Sequence, residues 1–253
     1  MKITFLGTSH GGPMPGHYCT SILLESGNFK YLVDAAEPAA STLVNMGFKA
    51  SQLTGVFITH AHSDHTSGLS FVCEQAQKYR FLFPDIALKV MLPEAPMIPA
   101  LEGWMAANHV GHTEKDFSLY SYEKGTIYDD GTLKVKAIPT EHLADIPNAQ
   151  SYAFKITEVS TGKQVLFTGD LHPAFKDFPL SDAQNCGIVC CELTHFKIDV
   201  ALPTLKKLST GLLAFYHLHN PWQTAEGQAR VLRECSELPY PIMLSYDGCS
   251  VEI

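Results

Sequence analysis

The chain has 253 residues, of which 45% are apolar and 17% charged, enough to bury the core of one large α/β domain or two small ones. Its formal charge is −8 and it has no Lys/Arg run, so a long nucleic acid is not the expected partner, although a local positive patch or metal ions could hold one phosphate. No stretch approaches the roughly 18 apolar residues of a membrane span, and the short apolar core of residues 1–8 cannot form a secretory h-region.

Apolar, β-branched runs predict strands over residues 2–6, 21–24, 31–33, 56–59, 87–92, 133–138, 152–156, 164–168, 187–191, 211–217 and 241–245. Helical spacing predicts helices over 39–46, 68–80, 97–108, 202–207 and 224–237, with Ser41 and Thr224 as opening caps of the first and last. This mixture predicts an α/β protein whose sheets carry helices on their outer faces. No repeat or linker divides the chain, and the Pro-rich patch over 93–99 is too short for a joint, so residues 1–253 are expected to form a single domain. The seven cysteines are an odd number without a Cys-x-x-Cys pair, and Cys190-Cys191 sits in an apolar stretch as small strand hydrophobes. They argue against a disulfide framework and for a reducing cytoplasm.

The segment His60-Ala61-His62-Ser63-Asp64-His65 concentrates the sequence's chemistry. It places three imidazoles and a carboxylate directly after Gly55-Val56-Phe57-Ile58-Thr59. Strand ends are where α/β proteins build sites, and imidazole and carboxylate are the preferred ligands of zinc and related divalent ions. Further ligands are expected at other strand ends. His142 follows a strand that stops at Pro139, Asp170 follows Phe167-Thr168-Gly169, and His217 closes an apolar run. Gly169 permits a sharp turn that would point the Asp170 carboxylate inward.

With these residues the chain resembles the metallo-β-lactamase fold superfamily of metal-dependent hydrolases, in its ribonuclease Z-like and phosphodiesterase-like branch. The resemblance is carried, in the family's order, by Thr4-Phe5-Leu6-Gly7-Thr8, Gly11-Gly12-Pro13-Met14-Pro15, Val33-Asp34, the run from Phe57 to His65, His142, Phe167-Thr168-Gly169-Asp170 and His217. It implies a four-layer αββα sandwich with two divalent metal ions at one edge between the sheets. His60, His62 and His142 would hold the first ion, Asp64, His65 and His217 the second, and Asp170 would bridge them. Asp64 would also orient or deprotonate the water. His195, 22 positions before His217, matches a catalytic histidine that gives a proton to the leaving oxygen; flanking the following helix is its alternative role. His219 competes with His217 as the last ligand, and His217 is preferred because the apolar run ends there. His10, His17 and His172 fall in loops near the metal edge, with substrate contact and an ordinary loop role both available to each.

The departures narrow the function. Only 27 residues separate His142 from Asp170, and they read as a plain hairpin where tRNA-processing enzymes carry a long arm. His17 stands where those enzymes tend to have Arg. Together with the acidic charge this argues against tRNA maturation and favours a small-molecule or short phosphodiester substrate over long nucleic acid. The expected chemistry is attack by a hydroxide bridging two metal ions, zinc in the first instance, with manganese or iron suiting the same ligands. A carboxylic ester, thioester or lactone hydrolase on the same site and a non-catalytic metal-binding protein are the alternatives. The helix over 97–108, with Trp104 and Met105, offers a face through which two copies could pair.

Overall fold

In the computed structural model, which describes residues 1–253, side-chain alternation along the strands sets the architecture. Val56 and Ile58 face one way and Phe57 the other; Cys191 and Cys190 divide likewise between two apolar seams. Both faces of such strands must be covered, and the chain does this with two sheets and helices outside each.

The first sheet comprises β1 (Lys2–Gly7), β2 (Ser21–Ser26), β3 (Phe29–Ala35), β4 (Leu53–Phe57), β5 (Leu88–Leu92), β6 (Phe117–Ser121) and β14 (Ser250–Glu252). It runs in the order β14-β1-β2-β3-β4-β5-β6, parallel from β3 to β6. The second comprises β7 (Gly125–Asp129), β8 (Leu133–Pro139), β9 (Tyr152–Glu158), β10 (Gln164–Phe167), β11 (Ile188–Leu193), β12 (Leu213–Leu218) and β13 (Ile242–Leu244). It runs β13-β12-β11-β10-β9-β8-β7, parallel from β10 to β13. The helices are α1 (Ala39–Asn45), α2 (Ser63–Thr66), α3 (Leu69–Lys78), α4 (Met97–Ala107), α5 (Leu180–Ala183), α6 (Ile198–Leu205) and α7 (Ala225–Glu234). None is long and apolar enough to cross a membrane.

The seam between the sheets is aromatic: Phe5, Tyr31, Phe57, Phe154, Phe167 and Tyr216 meet there. The outer seams are aliphatic, with Leu43, Leu69 and Val72 on the first sheet and Ile198, Leu205 and Val231 on the second. Three seams separate four layers, so the αββα sandwich is the fold. Phe57 stacks on Tyr31 at 6.2 Å and meets Tyr128 edge-on at 5.0 Å. Truncating a fully buried aromatic loses its burial and leaves a cavity, so Phe57→Ala is expected to cost about 3–5 kcal/mol in denaturant unfolding.

All eleven predicted strands and five predicted helices form, with ends moved by a few residues. The three strands without a prediction, β6, β7 and β14, have mixed or polar faces and lie at or beside sheet edges, where apolar patterning fades. The first helix opens at Ala39, after Pro38, and so contains Ser41 rather than being capped by it. Thr224 caps α7 as expected, its Oγ1 accepting the Gly227 N–H at 3.1 Å. The helix expected from residue 202 starts at Ile198 and runs through Pro203; burial of Ile198, Ala201 and Leu205 against the second sheet carries it past the proline.

Candidate functional site

The parallel strands of both sheets end at one edge, and there the sheets are tied together. His60 pairs with Ser151, the Tyr152 N–H donates to the Thr59 carbonyl at 3.1 Å, and Ser9 pairs with Leu218. The run after β4 delivers His60, then turns through α2, with His62 at its N-cap and Asp64 and His65 inside it. His142 follows β8, and Asp170 follows β10 after Gly169. Gly169 has φ +57°, and a Cβ there would fall 2.6 Å from the Tyr152 carbonyl oxygen. The sharp turn expected at that glycine is present.

Two site residues arrive through β-bulges. Ser21 pairs with Ala35 and Ile22 with Val33, leaving Asp34 as the extra residue. Glu192 pairs with Tyr216 and Leu193 with Leu218, leaving His217. Both extra residues take the left-handed conformation, Asp34 at φ +57° and His217 at φ +49°. A bulge re-aims a side chain, and both of these turn inward and are buried. His217 therefore lies within β12, one residue before its end. His219 is exposed beyond the strand, where its ring faces that of His10 at 5.1 Å.

Asp170 is the hub. Its carboxylate oxygens lie 3.4 Å from His65 Nε2, 3.5 Å from His217 Nε2, and 3.6 Å from both His60 Nε2 and His142 Nε2. His60, His62, His142 and Asp170 form one group able to hold an ion, and Asp64, His65 and His217 a second. All seven predicted ligands are thus brought together. Three buried atoms here, His60 Nε2, His65 Nε2 and Asp170 Oδ1, have no hydrogen-bond partner, although buried polar atoms are normally paired. His65 Nε2 lies 3.4 Å from Asp170 Oδ1 and His60 Nε2 3.6 Å from Asp170 Oδ2, long for hydrogen bonds and close to the ~3.3 Å that separates two donors on one tetrahedral ion at ~2.0–2.1 Å. The donor set therefore fits divalent metal.

The other ring nitrogens explain the aim. His65 Nδ1–H donates to Asp34 Oδ2 at 2.7 Å. The Thr20 hydroxyl donates to the Ser9 carbonyl, so His217 Nδ1–H donates to Thr20 Oγ1 at 2.6 Å. Thr59 likewise donates to Asp34, and His60 Nδ1–H donates to Thr59 Oγ1 at 3.1 Å. In each case Nε2 is the nitrogen left facing the hub. Sequence alone gives Asp34, Thr20 and Thr59 no role, although Asp34 and Thr59 stand among the residues that carry the resemblance.

Electrostatics favour neutral His60, His142 and His217 around an ionised Asp170. Burial and neighbouring imidazoles hold His60 well below its ordinary pKa, burial brings His142 down to about 4, and His217 falls to about 3. At Asp170, burial is outweighed by His217, His65 and His60, which keep it well below the usual carboxylate range. His65 goes the other way, since Asp170 and Asp34 outweigh its burial.

His195 stands at the rim, its side chain 26% exposed, with Nδ1 donating to Glu192 Oε1 at 3.0 Å and its ring 4.5 Å from that of His142. Burial lowers its pKa, but the hydrogen bond and charge of Glu192 prevail and lift it to about 9. It lies in the turn between β11 and α6 and does not cap the helix, whose N-cap is Lys197. His10 is held by Asn220 at 3.0 Å, and His172 Nδ1 accepts the Ala174 N–H at 3.0 Å; His17 is half-buried in the loop after the Pro-rich opening.

The family model described as "Anti-Pycsar protein Apyc1" matches residues 1–220. Ribonuclease Z of Mycobacterium marinum is 26% identical over 183 residues, covering 68% of this chain and 64% of that enzyme; the chain thus spans under two thirds of that relative's length. Among solved structures, the metallo-β-lactamase fold protein YhfI of Bacillus subtilis superposes with a TM-score of 0.80 at 18% identity, covering 100% of this chain and 99% of that one. The short form of human tRNase Z superposes with a TM-score of 0.74 at 18% identity over 100% and 99% of the two chains. The fold is that of the metallo-β-lactamases.

Proposed function

The chain belongs to the family described as Anti-Pycsar protein Apyc1, and from this footing we propose that it is a dinuclear metal-dependent hydrolase acting on a compact phosphodiester. Three buried polar atoms without partners, His60 Nε2, His65 Nε2 and Asp170 Oδ1, carry this conclusion, because a bound ion pair supplies the partner that each lacks. His60, His62 and His142 would hold one ion, Asp64, His65 and His217 the other, and Asp170 both. When bound, the ions supply a water made acidic enough to yield hydroxide near neutral pH, and positive charge for the transition state.

The chain's own residues do the rest. Asp170 keeps the clustered imidazoles in register. Asp64, on the solvent side of the second group with its side chain 16% exposed, orients the attacking water. His195, whose side chain is 26% exposed and whose Nδ1 is committed to Glu192, has Nε2 left to donate a proton to the leaving oxygen. A phosphodiester suits two adjacent ions, which can steady both the attacking and the leaving oxygen. The ribonuclease activity named for the M. marinum relative points to the same bond, and the acidic chain without a long arm favours a small substrate over a long polynucleotide.

Turnover of bis(p-nitrophenyl) phosphate, cyclic mononucleotides, a dinucleotide, a lactone and a thioester, with zinc or manganese and after chelation, tests this. Phosphodiester cleavage that chelation abolishes and metal restores is the expected result. Cleavage of only the lactone or thioester would make the chain an acyl hydrolase, and a zinc-loaded protein inert to the whole panel a metal-binding protein. Asp34→Asn keeps the left-handed backbone but weakens the anchor of His65. It is expected to lower zinc affinity by about 10- to 100-fold, as losses of such outer partners typically do, and zinc titration measures this directly.

A further inference from the structure

The hydrogen bonds that fix His60, His65 and His217 have no counterpart at Asp64, whose carboxylate lies 3.8 Å from both His65 Nε2 and His217 Nε2. What stands against it is the loop over residues 9–19. A Cβ on Gly11 would fall 2.9 Å from Asp64 Oδ2 and 3.1 Å from its Cγ, so a side chain here would push the carboxylate aside. The loop bears directly on the carboxylate.

One side chain holds both ends of this loop. The turn over residues 246–249 docks on β1, Gly248 N–H donating to the Phe5 carbonyl at 2.7 Å and Phe5 N–H to the Cys249 carbonyl at 3.0 Å. This aims Asp247 at the loop. Its Oδ1 accepts from Thr8 N–H at 2.8 Å and the Thr8 hydroxyl at 2.7 Å, and its Oδ2 accepts from Tyr18 N–H at 2.7 Å. Between these ends Ser9 N–H donates to the Tyr18 carbonyl at 2.8 Å, and Leu218 N–H, next to His217, donates to the Thr8 carbonyl at 2.7 Å. On the far flank Gln223 donates to Ser9 Oγ at 2.9 Å.

We propose that Asp247 is a positioning residue: it fastens the loop over residues 9–19, and the loop, through Gly11, sets the Asp64 carboxylate against His65 and His217. Residue 247 lies beyond the matched segment, which ends at residue 220, so a part of the chain outside that match completes the site. The step from Asp64 to an ion rests on the dinuclear reading above; the fastening of the loop does not.

Amide hydrogen exchange over residues 8–19, zinc titration and steady-state kinetics on Asp247→Ala, Asp247→Asn and Gly11→Ala test the proposal. Asp247→Ala is expected to speed exchange at Thr8 and Tyr18 at least about tenfold. Asp247→Asn, left with one acceptor, frees one end only. Gly11→Ala keeps the loop protected but displaces Asp64. Asp247→Ala and Gly11→Ala are expected to weaken the second zinc about 10- to 100-fold with the first unchanged, and to lower kcat more than they raise KM. Wild-type exchange in Asp247→Ala overturns the proposal, as does a loosened loop with unchanged zinc binding. A wild-type protein that binds a single zinc overturns the dinuclear reading instead, and exchange then decides whether Asp247 fastens the loop.

Discussion

Replacing Asp170 with Asn is expected to abolish turnover and to release both ions. The substitution keeps the volume and removes the charge, so it separates electrostatics from packing at a residue that is 2% exposed. The wild-type carboxylate faces four imidazole nitrogens within 3.6 Å. Without its charge, two cations held among these rings would repel each other with no shared anion between them. Several kcal/mol of transition-state stabilisation depend on the ions, which corresponds to a loss of at least about 10³-fold in kcat. Metal analysis after dialysis and single-turnover kinetics check both halves. A variant that keeps two ions and full turnover would remove Asp170 from the site.

The linkage runs in a definite direction in the metal-free protein. The folded-state pKa of Asp170 is depressed, so its contribution to stability is present above the ordinary carboxylate pKa and is lost as pH falls through the folded value. Acid is therefore expected to unfold the metal-free wild type more readily than neutral pH does. The Asn variant should lack that part of the pH dependence.

His195→Gln is expected to lower kcat by about 10²- to 10⁴-fold, the usual worth of a positioned general acid, while leaving zinc binding near the wild-type level. The loss should depend on the substrate. A p-nitrophenolate departs without needing a proton, so bis(p-nitrophenyl) phosphate should be affected far less than an alkyl or nucleoside ester. The pH profile provides a second check. Without the ions the Glu192 carboxylate lifts the imidazole to about 9; bound cations would bring it down, and activity should fall as pH rises through the imidazole's pKa in the loaded enzyme. Glu192→Gln removes the charge that sustains the shift, so its alkaline limb should move to lower pH. Because a raised histidine pKa stabilises the fold below its unfolded value and loses that effect as pH rises through the folded one, the metal-free wild type should also lose stability as pH rises through about 9. An equal loss for good and poor leaving groups would assign His195 a structural role instead.

The composition of the centre is legible in the linear chain. A histidine-rich run behind an apolar strand, and single His or Asp residues at three more strand ends, mark ligand types and positions through features only a few residues long, and apolar periodicity located the strands that carry them. Polar edge strands escaped that reading because neither of their faces is cleanly apolar. How the ligands are aimed depends on the packed sheets. Asp34 and His217 turn inward because one extra residue interrupts the pairing of β2 with β3 and of β11 with β12, and the register of a neighbouring strand leaves no trace in a residue's own segment. Thr20 reaches His217, and Asp247 reaches Thr8 and Tyr18, across about 200 residues or more of chain. Such pairs exist only after two sheets have closed on a common core, since burial chooses which distant strand ends meet and hydrogen bonding then selects among the polar groups brought within reach.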